Sequence, residues 1–273
     1  MIRKLTLSAL AALAIGVGGS AVQAQVVEPE IADVPFSFDG PFGTFDEHQL
    51  QRGLQIYTEV CSTCHGMDLV AIRTLGDEGG PHLPADQVKA YADAFPVNDT
   101  ASNPQFIDAA SGNPRKLIPS DHFPANNSMG APDLSVMAKA RAAFHGPYKL
   151  GINQFIHGIG GPQYIVAILN GFTGKTKDVA GNTVYENTVF PGGWIRMPPP
   201  LSDGQVTFAD GSPNDVKHMS EDVAAFLMWA AEPHMMARKH AGFDGVFFLI
   251  VLSSLLYLTN KRIWASVKGK KTA

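Results

Sequence analysis

Cysteine is almost absent from this sequence: Cys61 and Cys64 are the only two among 273 residues. Because no second pair with ligand spacing follows, a zinc site built from two such pairs is not supported. A disulfide within residues 172–196 is excluded as well, so packing must order that region. No internal repeat is visible, and this argues against a repeat architecture.

The two cysteines lie in the pentapeptide Cys61-Ser62-Thr63-Cys64-His65. This Cys-x-x-Cys-His pattern predicts covalent attachment of one haem c, in which both thiols bond to the vinyl groups and His65 supplies an axial nitrogen. A redox-active dithiol is one alternative, but the sequence does not show the βαβ pattern that usually accompanies it. A short-loop disulfide is another.

The N-terminus has the pattern of an export signal. Arg3 and Lys4 precede the apolar stretch 5–18, and a small-residue cleavage site ends at Ala24. We therefore expect residues 1–24 to be a cleaved signal peptide of a bacterial periplasmic protein, with an uncleaved anchor as the alternative.

A second apolar segment lies near the C-terminus. Residues 243–258 are mostly apolar, and extension to Trp264 gives about 20 residues, enough to cross a bilayer as a helix. A buried core helix is the alternative. The segment is followed by a group of basic residues, Lys261, Arg262, Lys268, Lys270 and Lys271. By the positive-inside rule we expect the C-terminus to be cytoplasmic.

These two ends divide the chain into four parts. Residues 25–240 are predicted to form a periplasmic haem domain, 241–264 a transmembrane anchor and 265–273 a basic cytoplasmic tail of a single-pass protein of the bacterial inner membrane. Without the two basic residues of the signal and the five listed above, 14 basic residues remain against 25 acidic ones, a net charge of −11 that includes Asp244 of the predicted anchor. Such a domain would attract a basic partner, although acidic surfaces also serve solubility.

Periodicity and capping patterns predict a mainly α domain with long loops and a small hairpin. A capping box at Thr44 and Glu47 opens a helix that leads into Cys61. Gly53 weakens that helix and suggests close approach of another helix. Residues 76–84 and 96–132 are rich in glycine, proline or asparagine and are expected to be irregular.

Further elements are predicted downstream. Helices are expected over 85–95, from the N-cap Asp133 to about His145, over 162–170, and after the N-cap Ser220, with a break at Pro233. One strand of a hairpin is expected at Val206-Thr207-Phe208, before Asp210-Gly211.

A second axial ligand would come from the eight other histidines or from the methionines, unless that position is left open. Met197 precedes three prolines that hold its segment extended, which suits a weak thioether ligand. Met129 lies in another loop and is the competitor, whereas Met137 and Met228 lie in helical patterns typical of a core. Ligation by His65 and Met197 would close the iron to substrates and favour an electron carrier.

Four motifs in order resemble the cytochrome c1 family, the haem subunit of the cytochrome bc1 complex (ubiquinol–cytochrome c oxidoreductase). They are Cys61-Ser-Thr-Cys-His-Gly-Met-Asp-Leu-Val with Arg73, Ala125-Asn-Asn with Ala131-Pro-Asp-Leu-Ser135 and Arg141, Met197-Pro-Pro, and Trp229-Ala-Ala-Glu-Pro233 with Arg238 and Lys239. The resemblance covers nearly all of the chain after the signal.

The resemblance implies Cys61 and Cys64 as the thioether pair and His65 and Met197 as the axial ligands. It also implies that Arg141 pairs with a haem propionate, with Asn126 and Tyr164 nearby; a guanidinium suits a carboxylate. Two departures from the family pattern stand out, Ile72 at a position where tyrosine is common, and a Gly-rich segment, 146–161, between Arg141 and Tyr164.

The resemblance further implies single-electron transfer from a Rieske iron–sulfur protein through the haem to a soluble basic c-type cytochrome. The expected partners are cytochrome b, those two proteins and the lipid membrane, in a dimeric complex without nucleic acid. The complex would be the enzyme and this chain an electron carrier. A membrane-anchored c-type cytochrome serving a terminal oxidase is the alternative, and a haem-free dithiol or metal-binding envelope protein is a second.

Overall fold

A computed structural model describes residues 31–127, 129–143 and 158–269. The proposed signal peptide and most of the Gly-rich segment lie outside these residues. The described part of the chain is mainly α-helical. Its five α-helices are α1 (Glu47–Glu59), α2 (Ala85–Ala94), α3 (Gly161–Asn170), α4 (Val216–Ala231) and α5 (Met235–Lys268).

The remaining elements of the described residues are short. Three strands, β1 (Phe172–Val179), β2 (Asn182–Asn187) and β3 (Trp194–Ile195), form one antiparallel sheet in the order β1-β2-β3. Three 3₁₀ turns cover Cys61–Thr63, Ile72–Gly76 and Pro104–Phe106. Long irregular connections join these elements, so the predicted fold class, a mainly α domain with a small hairpin and a C-terminal helix, is confirmed.

Helix α1 packs against α4 at a point where the two backbones nearly touch. A Cβ atom added to Gly53 would lie 2.2 Å from the carbonyl oxygen of Asp222, so only glycine fits. In the same contact, the neighbouring residue Arg52 donates from Nε and Nη2 to the two carboxylate oxygens of Asp222, at 2.7 and 3.1 Å. The predicted close approach at Gly53 is therefore confirmed. It fixes the orientation of α1, whose C-terminal end leads into Cys61.

The core of the domain is an aromatic cluster beside this contact. Tyr57 of α1 stacks on Phe95, meets Phe123 edge-on, and lies against Phe226 of α4. All four rings are buried. Phe123 belongs to the irregular stretch after α2, so this long loop is tied to the helices by its own apolar side chain.

Two helix starts differ from the prediction. The N-cap of α1 is Asp46, whose carboxylate accepts the N–H of Gln49 at 3.1 Å, and the Thr44–Glu47 capping box is wrong. Helix α4 is capped by Asp215, which accepts the N–H of His218. Ser220 lies inside α4 and its hydroxyl contacts Asn170 of α3 at 2.7 Å.

Two other predicted elements are absent from the described residues. Over 133–143 the chain forms turns, and no α-helix begins at Asp133. Residues 206–208 form no strand and belong to a turn-rich segment in which Val206 and Phe208 are buried. The carbonyl of Thr207 accepts a hydrogen bond from Gln55 of α1. The hairpin is formed by β1 and β2.

Helix α5 differs in character from the other helices. Its residues Met235–Val267 are long and apolar enough to cross a membrane, and the apolar part is exposed throughout. Exposed apolar side chains over this length fit a membrane-spanning helix, which has no protein core to bury it. This supports the predicted anchor and gives no support to a buried core helix.

Candidate haem-binding site

The Cys-x-x-Cys-His pentapeptide forms a tight turn directly after α1. The N–H groups of Cys64 and His65 both donate to the carbonyl oxygen of Cys61, at 3.1 and 2.9 Å. The side-chain amide of Asn126 donates to the carbonyls of Ser62 and Thr63, at 3.1 and 2.9 Å. The turn is therefore held both by its own backbone and by a buried side chain from the loop on its other side.

The ring of His65 is oriented by a backbone carbonyl. Its Nδ1 atom lies 2.7 Å from the carbonyl oxygen of Pro132. A carbonyl can only accept, so Nδ1 carries the proton and the lone pair lies on Nε2. A hydrogen bond of this kind fixes the tautomer and orientation of a ligating histidine. His65 therefore presents Nε2 as a ready metal ligand.

Gly66 brings the loop around residue 125 close to the cysteine turn. A Cβ atom at Gly66 would lie 2.5 Å from the amide nitrogen of Asn126 and 2.9 Å from the Cα of Ala125. The carbonyl of Gly66 accepts the N–H of Leu134 at 2.9 Å. The loops that contain Asn126 and Pro132 thus meet at one glycine.

The two cysteine thiols are not bonded to each other. Burial, and secondarily the neighbouring Cys64, raises the pKa of the Cys61 thiol to about 12. A redox dithiol needs a thiolate with a lowered pKa, so this environment does not suit that chemistry. Among the residues that the structure describes, no group of three or more His, Cys, Asp and Glu side chains could hold a metal ion, which also disfavours a zinc site.

The methionine candidates differ in their surroundings. Met197 follows β3 by two residues and is half-buried. Met129 is 73% exposed, a poor setting for a ligand that must exclude water. Met137 and Met228 are half-buried and pack against the apolar core, as predicted, although Met137 lies in a turn and only Met228 lies in a helix. The axial role of Met197 stays a prediction.

Arg141 and Tyr164 lie near each other despite the Gly-rich segment between them. Gly161 at the start of α3 packs directly on the turn before Arg141, where an added Cβ would lie 1.6 Å from the Ala138 carbonyl oxygen. Burial raises the pKa of Tyr164, and the positive charge of Arg141 acts against this rise. Arg141 is exposed and donates from one Nη to the carbonyl of Ala140, so further donors remain for a carboxylate.

Two residues of the site were missed by sequence reasoning. Pro132 acts through its main-chain carbonyl, which no residue type signals. Asn103 is fully buried, and its amide oxygen and nitrogen bond the N–H and carbonyl of Ala125 at 3.0 and 2.8 Å. A lone asparagine in a polar loop gives no sequence signal. Asn126 was predicted as a neighbour of a propionate, and the structure places its amide on the cysteine turn.

The donor set fits a haem c. One imidazole with a fixed Nε2, two unpaired thiols spaced by two residues and a thioether on a stiff segment are the groups that covalent attachment and axial ligation require. The thiols and the imidazole lie on one turn, which is held by contacts with Asn126, Pro132 and Leu134. The chemistry of these side chains thus matches what a haem c requires.

Comparison with known proteins identifies the family of this chain. The model of the cytochrome C1 family matches residues 36–267. Cytochrome c1 of Cereibacter sphaeroides is 53% identical, with 99% of each chain covered, and cytochrome c1 of Rhodobacter capsulatus is 45% identical, with 98% of this chain and 99% of its own covered. A protein named cytochrome b/c1 from Bradyrhizobium diazoefficiens is 43% identical over 84% of this chain and 35% of its own length. The chain belongs to the cytochrome c1 family.

Proposed function

We propose that this protein is the haem-carrying, membrane-anchored subunit of a cytochrome bc1 complex, and that it passes single electrons from a Rieske iron–sulfur protein to a soluble basic c-type cytochrome. The observation that carries the proposal is the fixed Nε2 of His65 on a Cys-x-x-Cys-His turn, in a chain whose family is established. One covalently attached haem c would supply the change between oxidised and reduced iron.

The residues of the chain have separate roles in this proposal. Cys61 and Cys64 would attach the haem, and His65 and Met197 would ligate its iron. Arg141 would hold a propionate, with Tyr164 beside it, while Asn126 holds the backbone of the cysteine turn. Closed ligation would exclude small-molecule substrates, so the chain serves as a carrier within a larger oxidoreductase.

The partners follow from the family and from α5. The Bradyrhizobium relative is named cytochrome b/c1, and this combined name supports cytochrome b as a partner. Helix α5 would hold the haem domain at the membrane as a single-pass protein, with the domain in the periplasm and the basic C-terminus in the cytoplasm. The complex is proposed to be dimeric.

Purification of the tagged full chain from its native membranes tests this function. We expect one haem per chain with both cysteines blocked, and co-purification of cytochrome b and a Rieske protein with ubiquinol–cytochrome c reductase activity. A haem-loaded chain that purifies with a terminal oxidase would overturn the assignment to a bc1 complex. A chain without haem would overturn the cofactor assignment itself.

A further inference from the structure

A groove lies where the haem domain meets α5. Its cavity volume is about 740 Å³. The described residues that line it come from the loop 38–42, from residues 158–163, from the end of α4, from Lys139, and from the first three turns of α5. We call it the juxtamembrane groove. It involves neither the cysteine turn nor Met197.

The polar end of the groove contains two cations that share one carboxylate. Glu232 accepts a hydrogen bond from Lys139 Nζ at 2.7 Å on one oxygen and from Arg238 Nε on the other. Burial would raise the pKa of Glu232, but Arg238 and Lys139 together hold it below its ordinary value. Since the side chains of Lys139 and Arg238 are 44% and 62% exposed, both retain donors that face solvent.

A third cation in the lining, Lys239, donates to two main-chain oxygens. Lys239 Nζ donates to the carbonyls of Phe38 and Gly43, at 2.6 and 3.0 Å. With Lys139 and Arg238 it gives three positive charges against the carboxylates of Glu232 and Asp39, a net charge of +1 for the described lining. In a domain whose charge is otherwise acidic, the described lining of the groove therefore carries a small excess of positive charge.

The other end of the groove is apolar and opens onto the membrane-spanning part of α5. The rings of Phe42 and Phe243 meet edge-on with centroids 6.0 Å apart, although each is more than half exposed. Val246 continues this surface by one turn. At 1.5 Å per residue, Val246 lies about 12 Å along the helix from Arg238. The groove therefore joins a cationic end to an apolar end over the length of a lipid glycerol and the first part of its acyl chains.

We propose that the juxtamembrane groove binds one anionic phospholipid from the leaflet on the haem-domain side of the membrane. The phosphate lies at Arg238 and Lys139, and an acyl chain runs along Phe42, Phe243 and Val246. Charge complementarity and continuity with the membrane-spanning surface favour this occupant over a soluble anion, which would leave the exposed rings uncovered. The proposal goes beyond electron transfer and does not depend on the haem.

Native mass spectrometry of the detergent-purified, haem-loaded full chain tests the proposal. After exchange into equal amounts of phosphatidylglycerol and phosphatidylcholine, we expect one phosphatidylglycerol to be retained with at least about tenfold preference, and inorganic phosphate not to displace it. Equal retention of the two lipids, or displacement by inorganic phosphate, would contradict the proposal.

Three variants separate the groove from general surface charge. Arg238→Gln should reduce retention of phosphatidylglycerol several-fold, whereas Glu232→Gln should increase it, because the carboxylate that competes for both cations is lost. Lys89→Gln removes an exposed cation of α2 outside the groove and should change nothing. Equal retention of phosphatidylglycerol by all three variants would contradict the proposal. Haem absorbance measured in parallel shows whether each variant is folded.

The assembled complex gives the last arm of the test. We expect the same single phosphatidylglycerol to remain when the chain is isolated together with cytochrome b. A lipid found on the isolated chain and absent from the complex would mean that a protein segment covers the groove, which would overturn the proposal. Lipid retention is read separately from electron transfer, so either proposal can fail without the other.

Discussion

His65 donates its Nδ1–H to the main-chain carbonyl of Pro132 over 2.7 Å, across 67 positions of sequence. This bond ties the residue that would ligate the iron to a loop with no regular secondary structure. The orientation of the imidazole therefore depends on what holds that loop in place.

Asp133 is one side chain that holds it, and Asp133→Ala should loosen the His65 contact. Its carboxylate accepts the N–H of Ser135 at 2.8 Å and the N–H of Asp68 at 2.9 Å, joining the loop to the chain just after the cysteine turn. Loss of both bonds should lower the free energy of unfolding by about 1–2 kcal/mol. It should also shift the reduction potential, because the hydrogen bond to Nδ1 tunes the basicity of the ligand.

Asp108→Ala is the matched control for this variant. Asp108 likewise accepts N–H groups of a local turn, from Ala110 and Ser111, but that turn is exposed and outside the site. Urea unfolding and a spectroscopic redox titration should show a change in potential for the Asp133 variant alone. Equal potentials in the two variants would mean that Asp133 has only a general stabilising role.

Gly53→Ala tests the contact between α1 and α4. Alanine is favoured over glycine in a helix by about 1 kcal/mol, so propensity alone predicts stabilisation. The added Cβ would instead meet the backbone of Asp222, and overpacking of this kind costs about 1–3 kcal/mol. A lower melting temperature of the haem domain is expected. Gly245→Ala on α5, where an added Cβ meets nothing within 4 Å, should leave that temperature unchanged.

Helix α3 is a part of the fold that local chemistry made predictable from the sequence. Helix α3 begins one residue before the predicted start and ends at the predicted residue, because proline opens it and glycine follows it. The start of α4 was not predictable, because the sequence places Ser220 and Asp215 within five residues and only the tertiary contact of Ser220 with Asn170 shows which one is internal.

The site shows the same division. The cysteine turn follows from the motif alone, whereas the contacts around Asp133 do not. A proline–aspartate pair predicts a helix start, but here the Asp133 carboxylate is used for a bond to Asp68, 65 residues earlier, and the chain forms turns. Long-range hydrogen bonds of this kind override local propensity and leave no periodic signal.

Asp121 should contribute an acid-sensitive part of the stability. Arg115 donates to both of its carboxylate oxygens, at 2.7 and 2.9 Å, and this pairing lowers the pKa of Asp121 against the opposing effect of burial. A carboxyl group with a depressed pKa stabilises the fold above its ordinary value of 3.8, and this stability is lost as the pH falls below that value.

Asp121→Asn should therefore make the pH dependence of unfolding shallower below pH 3.8. Each proton taken up on unfolding contributes a slope of about 1.4 kcal/mol per pH unit, so the loss of one such group is measurable by urea unfolding between about pH 2.5 and 6. Asp178→Asn removes an exposed carboxylate of the β1–β2 hairpin as the control. An unaltered slope in the Asp121 variant would show that the pair with Arg115 is not coupled to folding.

The acidic charge of the haem domain predicts a salt-dependent reaction with a basic electron acceptor. The rate of electron transfer to such a cytochrome should fall as ionic strength rises from about 10 mM to 150 mM, because the Debye length shrinks from about 30 Å to 8 Å over that range. Stopped-flow kinetics with a basic and an acidic cytochrome provide the comparison. A rate that is independent of salt for the basic acceptor would remove electrostatic docking from the proposed function.

Met197→Leu decides the second axial ligand. Leucine has about the same volume but no donor atom, so the haem should lose its sixth ligand, fall in reduction potential and bind carbon monoxide. Met129→Leu is the matched control, since Met129 is 73% exposed in a loop and should not ligate. Visible spectra with and without carbon monoxide, together with a redox titration, read both variants. The opposite pattern, with carbon monoxide bound only by the Met129 variant, would transfer the axial role to Met129, and wild-type spectra in both would leave ligation to a group other than these two methionines.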